Sequence, residues 1–449
     1  MIDKKLSERV DEYIASHRDE IIDNLRALVE IPSIRGEELP DAPFGIESDR
    51  ALVKSMDMFS ENGFESRIAK SRKYGIAEFG QGEKTLGLFG HCDVVTADGE
   101  WLYGEPFKLT ERDGFLVGRG CNDDKSGILE MLYAAKMIKE LDIPIKNRLL
   151  FFVGACEEDG MDDIADFEVN EEMPDVSLVP DGEYPYYCAE KSLTRLMLES
   201  CTPFENIKDI NGGKCYNVIL SDVDVTYVDG SEVAVSGISG HAGRPEGSIN
   251  AFVKYVESAL TDSRPSDSDK EILKDAYDIL ADYYGGGLDI ALDDPFWGRN
   301  TCVNGRVSVN NGKLCISLDM RYNPVTSTEE LMEKIHKRID GKWNITESIF
   351  KPGYRNDEES KIALTLRNVY SALSGNECDC GIMTAGGTYS KYLRNSFPVG
   401  TVMPHPELNH GFKPGHGGVH APDETMSEIG FLEAIKTLLF SITEIDKIL

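Results

Sequence analysis

The chain is short of positive charge: 449 residues carry 47 Lys and Arg against 79 Asp and Glu, for a formal net charge of −32 and a sequence pI near 4.6. So acidic a surface repels the phosphates of nucleic acids and the headgroups of anionic membranes, and neither is an expected partner. Long apolar runs are missing too. No stretch of about 18 apolar residues occurs, so no membrane span is expected, and the opening MIDKKLSERVDEY lacks the apolar core of a secretory signal. The expected location is therefore cytoplasmic. Low-complexity tracts and internal repeats are absent as well, and 41% hydrophobic with 28% charged residues is a globular rather than a disordered composition. Ten cysteines spread through a chain of this kind read as reduced thiols, and Cys378-x-Cys380 alone is too little for a metal knuckle.

What is present has a clear order. At this length one core stops growing and two domains are expected. Leu6, Val10, Tyr13, Ile14, Ile21, Leu25, Leu28 and Val29 recur at helical spacing, predicting a helix over 4–31 that Pro32 ends. Beyond Gly75 come short apolar runs, TLGLFG, RLLFFVGA and VSLVP, suited to buried parallel strands. Between the first two, SGILEMLYAAKMIKEL places Ile128, Leu132, Ala135 and Ile138 on one helical face, as a strand–helix–strand crossover requires. From about 193 alternating strands and polar helices take over, an α+β texture. After about 355 two further helices and the strand FPVGTVM return to the first style.

In open parallel sheets ligands gather at the C-terminal ends of the strands. Three of the predicted strands end in metal-type ligands: His91 and Asp93, then Glu157 and Glu158, then Asp181, while Asp123 and Asp124 precede the crossover helix. Singly each has an ordinary use. An acid at a helix start is a cap, paired acids form a solvated turn, and a lone His-x-Asp is structural. Gathered in one crevice, Asp93, Asp123, Glu157, Glu158 and Asp181 would repel and take up protons unless cations neutralised them. A mixed imidazole and carboxylate set suits zinc, manganese or cobalt better than magnesium.

LRALVEIPS (25–33), GHCDVV (90–95), GRGCNDDKSG (118–127), EED (157–159) and PDGEYP (180–185) occur in that order. On these motifs the chain resembles the M20 metallopeptidase family. PDGEYP followed by AEK (189–191), the long insert and AGGTYSKYL (385–393) are similar to its dipeptidase V group. The resemblance implies two divalent cations, His91 and Asp181 binding one, Glu158 and His420 the other, and Asp123 bridging both. It makes Glu157 the general base. Asp93 would accept the second N–H of His91 and fix its tautomer. His241, within GISGHAGRPEGSINA, would stabilise the oxyanion from the lid domain. Arg321 would bind the substrate carboxylate through its planar fork, and Asn217 would contact substrate. His405, His410 and His416 receive no role. The motif reads DDKSG where the family has DDKG, and Cys92, Cys121 and Cys156 flank site residues, which raises the hypothesis that their oxidation disturbs metal binding.

The expected fold class is α/β: a three-layer αβα catalytic domain of zinc-peptidase type (1–192 and 355–449) interrupted by an inserted α+β lid domain (193–354). The expected activity is hydrolysis of dipeptides with two cations, zinc first and manganese or cobalt as the other candidates, sharing an activated water. The enlarged lid implies a monomer. The rivals are a deacylase of N-acyl amino acids, a non-catalytic metal- or peptide-binding protein, and a cysteine-dependent redox protein, which chelation and alkylation separate.

Overall fold

The computed structural model describes residues 2–213 and 215–449. The chain divides into two compact units, one of Met1–Cys188, Asn356–Ile382 and Thr388–Leu449, the other of Ala189–Arg355 and Met383–Gly387. The linear reading puts 383–387 with the catalytic segment. The structure gives it to the second unit, because its carbonyls are held there: Lys191 N donates to Thr384 O at 3.1 Å and Arg321 Nη1 to Ala385 O at 3.0 Å.

The first unit is built on a six-stranded sheet in the order Glu65–Ile68, Tyr74–Phe79, Arg148–Gly154, Thr85–His91, Val176–Gly182, Ser396–Gly400. The last four run parallel, as their uninterrupted apolar runs predict, and the first two are antiparallel additions. Alternation along the strands sorts the core. Leu86, Leu88 and Phe151 face the helices Ile46–Glu61 and Lys125–Glu140, while Phe89, Phe152 and Val179 face the helix Asp162–Asn170 and Tyr389. Helices thus lie on both faces of the sheet.

The crossover helix Lys125–Glu140 is buried on every side from Lys125 to Ile138, not along one face as its periodicity predicts. The helices Lys4–Val29 and Glu428–Asp446 pack against its outer side, so no flank meets water.

The second unit is α+β. A mostly antiparallel sheet centres on Lys313–Tyr322 paired with Ser192–Ser200, in eight-residue register from Cys315↔Glu199 to Tyr322↔Ser192. One face carries Leu196, Leu198, Ile316, Leu318 and Met320, which form a core with Phe252, Leu273 and Ile335 of three helices. The alternate residues Arg195, Asp319 and Arg321 point from the opposite face. Among the described residues no helix is long and apolar enough to cross a membrane.

Candidate metal centre

Five chain segments of the first unit deliver the ligand-type side chains. His91 is the last residue of its strand and fully buried. Asp123 lies just ahead of the crossover helix, Glu158 follows the strand Arg148–Gly154, Asp181 sits near the end of Val176–Gly182, and His420 comes from the C-terminal loop. Asp123 is central. Its Oδ1 lies 3.1 Å from His91 Nε2 and its Oδ2 lies 2.9 Å from His420 Nε2. His420 Nε2 is also 2.9 Å from Glu158 Oε1, and His91 Nε2 is 3.9 Å from Asp181 Oδ2. Donor atoms of His91, Asp123 and Glu158 fall within 4.8 Å of one another, a spacing that could hold a cation.

At the start of the crossover helix no acid side chain makes a capping hydrogen bond. The cap residue is Asp124, and its Oδ2 accepts the backbone N–H of His91 at 3.1 Å instead of capping the helix.

The electrostatics of the cluster fit cation binding. Burial raises the carboxyls of Glu158 and Asp181, and Asp123 adds repulsion to both. Burial also opposes charge on His91 and His420, yet the carboxylates around them hold both imidazoles well above their ordinary range. Asp123 is the exception among the acids: burial pushes it up, but its contacts with His420 and His91 pull it far down. Without cations, then, these groups share protons to limit charge. Divalent ions would displace those protons, so binding should strengthen as pH rises.

The turn carrying Glu157 and Glu158 is pinned by two buried aspartates. Asp93 Oδ1 and Oδ2 accept the N–H groups of Glu157 and Glu158, both at 3.1 Å, and Asp163 Oδ2 accepts the N–H of Cys156 at 2.7 Å. Tyr389 Oη donates to Asp163 Oδ2 at 2.6 Å from behind. Asp93 also stands against His91. The nearest acceptor to His91 Nδ1 is the Asp93 carbonyl at 3.0 Å, with the carboxylate at 3.4 Å, because each carboxylate oxygen is directed at a backbone N–H of the neighbouring turn.

His241, Asn217 and Arg321 belong to the second unit. Ala242 N donates to Asn217 O at 2.9 Å and Val218 bridges His241, so the first two are neighbours. Arg321 is nearly buried. Its Nε and Nη2 donate to the two oxygens of Asp319 at 2.6 and 3.2 Å, which fixes the plane of the guanidinium, and its Nη1 donates to Ala385 O. A Cβ built on Gly243 would stand 2.9 Å from Ala385 Cβ, so the strap 383–387 touches both the His241 loop and Arg321.

The remaining C-terminal histidines are anchored elsewhere. His416 Nδ1 lies 2.6 Å from Asp423 Oδ2, His405 sits between Glu407 and Glu433, and His410 packs against Phe115 and Phe412. Cys92, Cys121 and Cys156 are buried, and burial pushes each thiol up, away from the reactive thiolate.

Residues 87–444 match the family described as Peptidase family M20/M25/M40. The Beta-Ala-Xaa dipeptidase of Lactobacillus delbrueckii subsp. lactis is 24% identical over 431 residues, covering 87% of this chain and 90% of that protein. The solved structure of the di-peptidase Dug1p from Saccharomyces cerevisiae shares the fold, with a TM-score of 0.64 at 15% identity over 98% of each chain. So does the YXEP protein of Bacillus subtilis, a dinuclear metal binding peptidase from the M20 family, with a TM-score of 0.52 at 12% identity and full coverage of both chains. Matched over well more than half its length, the chain belongs to peptidase family M20/M25/M40 and is a metallopeptidase-type hydrolase.

Proposed function

We propose that the chain is a dipeptidase in which two divalent cations are held by His91 and Asp181 on one side and by Glu158 and His420 on the other, with Asp123 shared. One observation carries this reading: the two oxygens of Asp123 face different imidazole nitrogens, at 3.1 and 2.9 Å, as a bridging carboxylate must. When bound, two such ions would polarise an amide carbonyl and lower the pKa of a water between them. Zinc is the first candidate, and manganese and cobalt suit the same donors.

Glu157 serves as the general base, taking the proton of the attacking water and delivering it to the leaving amine. Its backbone is held by Asp93 and that of its neighbour Cys156 by Asp163, so the carboxylate is aimed by a rigid turn. In the second unit His241 is assigned the developing oxyanion and Arg321 the substrate's terminal carboxylate. Asp319 supports the latter by fixing the guanidinium plane. Asn217 is assigned a weaker substrate contact. The Beta-Ala-Xaa dipeptidase relative supports a free dipeptide as substrate, and the spread of ten cysteines through the chain supports a reducing, cytoplasmic setting. A monomer is proposed from the size of the second unit.

The test is hydrolysis of free and N-acetylated dipeptides before chelation, after it, and on readdition of zinc, manganese or cobalt. Cleavage of free dipeptides that chelation abolishes and a cation restores is the expected result. Cleavage of acetylated substrates alone would make the protein a deacylase, and activity that survives complete chelation would overturn the reading.

A further inference from the structure

Asp123 and His420 meet in the centre, yet they stand on loops far apart in the chain. A short ladder of Phe115–Val117 with Thr425–Ser427 runs beside the two loops, and beyond it a buried ion pair joins them. Arg119 is 1% exposed and Glu424 fully buried. Glu424 Oε1 accepts three backbone N–H groups of the Asp123 loop, from Gly120 (3.1 Å), Asn122 (3.0 Å) and Asp123 itself (3.1 Å). Its Oε2 accepts Arg119 Nη1 at 2.5 Å. Arg119 Nη2 then reaches across to the other loop, donating to the carbonyls of His420 and Ala421, and to Thr96, each at 3.2 Å. Each member of the pair therefore grips the loop on which the other rides. Arg119, on the Asp123 loop, holds the His420 backbone, and Glu424, on the His420 loop, holds the Asp123 backbone.

The turn from His420 to Asp423 needs such a grip. Both residues have positive φ, 65° and 55°, in the left-handed region that non-glycine residues avoid. A backbone held there persists only when its surroundings over-determine it. His91 and Asp181, by comparison, stand near the ends of adjacent parallel strands paired through Leu88↔Leu178.

We propose that Arg119 and Glu424 are positioning residues for the cation shared by Asp123, Glu158 and His420, and that loss of the pair weakens that cation first, leaving the one on the His91 and Asp181 side in place. The inference rests on the two-cation reading above. It concerns the pair's effect on a ligand, not on the fold, and the test separates the two.

Wild-type protein, Glu424→Gln and Arg119→Lys are stripped with chelator, titrated with zinc against a chromophoric competitor, and analysed for bound metal. The melting temperature of each stripped protein is measured alongside. Glutamine keeps the shape but turns an amide toward Arg119, whereas lysine keeps the charge but cannot span the carbonyls of both loops. Wild type is expected to bind two ions. Glu424→Gln should bind the second roughly 10–100-fold more weakly, the scale expected for outer partners of metal ligands. Arg119→Lys should fall between the two, and excess zinc should restore kcat in both variants with little change in KM. Two ions at wild-type affinity in both variants would overturn the proposal, and so would equal weakening of both ions in step with a fall in the stripped melting temperature. A wild type that never binds two ions overturns the two-cation reading itself, which distinguishes that failure from failure of the pair.

Discussion

Replacing Asp93 by asparagine tests how the catalytic turn is built. Asp93 is buried, and its two oxygens accept the N–H groups of Glu157 and Glu158 at 3.1 Å each. Asparagine offers one oxygen and one NH₂, so one of those backbone donors must face another donor. The lost hydrogen bond is one to a charged acceptor, worth roughly 1.5–3 kcal/mol, and it leaves a buried N–H unsatisfied. The cost falls on the turn that aims Glu157 and Glu158, the proposed general base and cation ligand. At 1.4 kcal/mol per tenfold, it corresponds to about a 10- to 150-fold loss if fully expressed there. Removing the negative charge 3.4 Å from His91 Nδ1 acts in the same direction on cation affinity. The assay is zinc affinity by competition together with kcat and KM for a dipeptide. Asp93→Asn should bind cations more weakly and lose kcat by about two orders of magnitude even at saturating zinc, with KM little changed. Wild-type kcat and zinc affinity in a folded Asp93→Asn protein would refute the view that this carboxylate holds the turn.

Glu157→Gln should keep both ions by metal analysis while kcat drops by about 10²–10⁴-fold, the usual worth of a general base, and a loss of ions together with activity would reassign Glu157 as a ligand. Asp163 has its carboxyl pushed up to about 6, first by burial and then by the charge of Asp93. An unfolded aspartate titrates near 3.9, so from about pH 4 to 6 the folded chain keeps a proton that the unfolded chain has released. Stability falls as pH rises through that window, by up to roughly 3 kcal/mol. The difference in urea stability between stripped wild type and Asp163→Asn should therefore decline from about pH 4 to 6, and a difference independent of pH would reject this account. Alkylation of the native protein should reach the exposed Cys201, Cys215 and Cys380 and spare the buried Cys92, Cys121 and Cys156, with zinc content unchanged. Mass mapping that finds Cys156 modified under native conditions would revive an oxidation-sensitive centre.

Local pattern and long-range pairing divide what the sequence makes legible. Apolar runs such as TLGLFG and RLLFFVGA identify their strands because burial on both faces leaves no room for polar alternation, and the residues that follow those strands reach the centre because parallel strands end together. The extent of burial around Lys125–Glu140 is not legible, since it depends on helices remote in the chain that cover its outer side. The same limit hides Arg119 and Glu424. Each lies within a motif the sequence displays, GRGCNDDKSG and A-P-D-E, but their pairing spans 305 residues and no local period marks it. Asp93 shows a finer limit: an acid two residues after a histidine suggests a partner for the imidazole, which it faces at 3.4 Å, but its second use, holding the turn at 156–158 that belongs to another strand, leaves no local sign. The histidine-rich stretch before His420 misleads in the opposite sense, because clustering in sequence there reflects anchoring to Asp423, Glu433 and Phe115 rather than shared chemistry.

The contact between His420 and Glu158 joins residues 262 positions apart. At a synthesis rate of about 5–20 residues per second, roughly 13–50 s pass between the emergence of one and the other from the ribosome. For that interval the nascent chain holds Glu158 and Asp123 without the His420 imidazole, and without the Glu424 carboxylate that shapes the Asp123 loop. On the proposed assignment, a peptidase assembled in this order gains its full centre only at the end of synthesis, when the segment that would secure the cation arrives last.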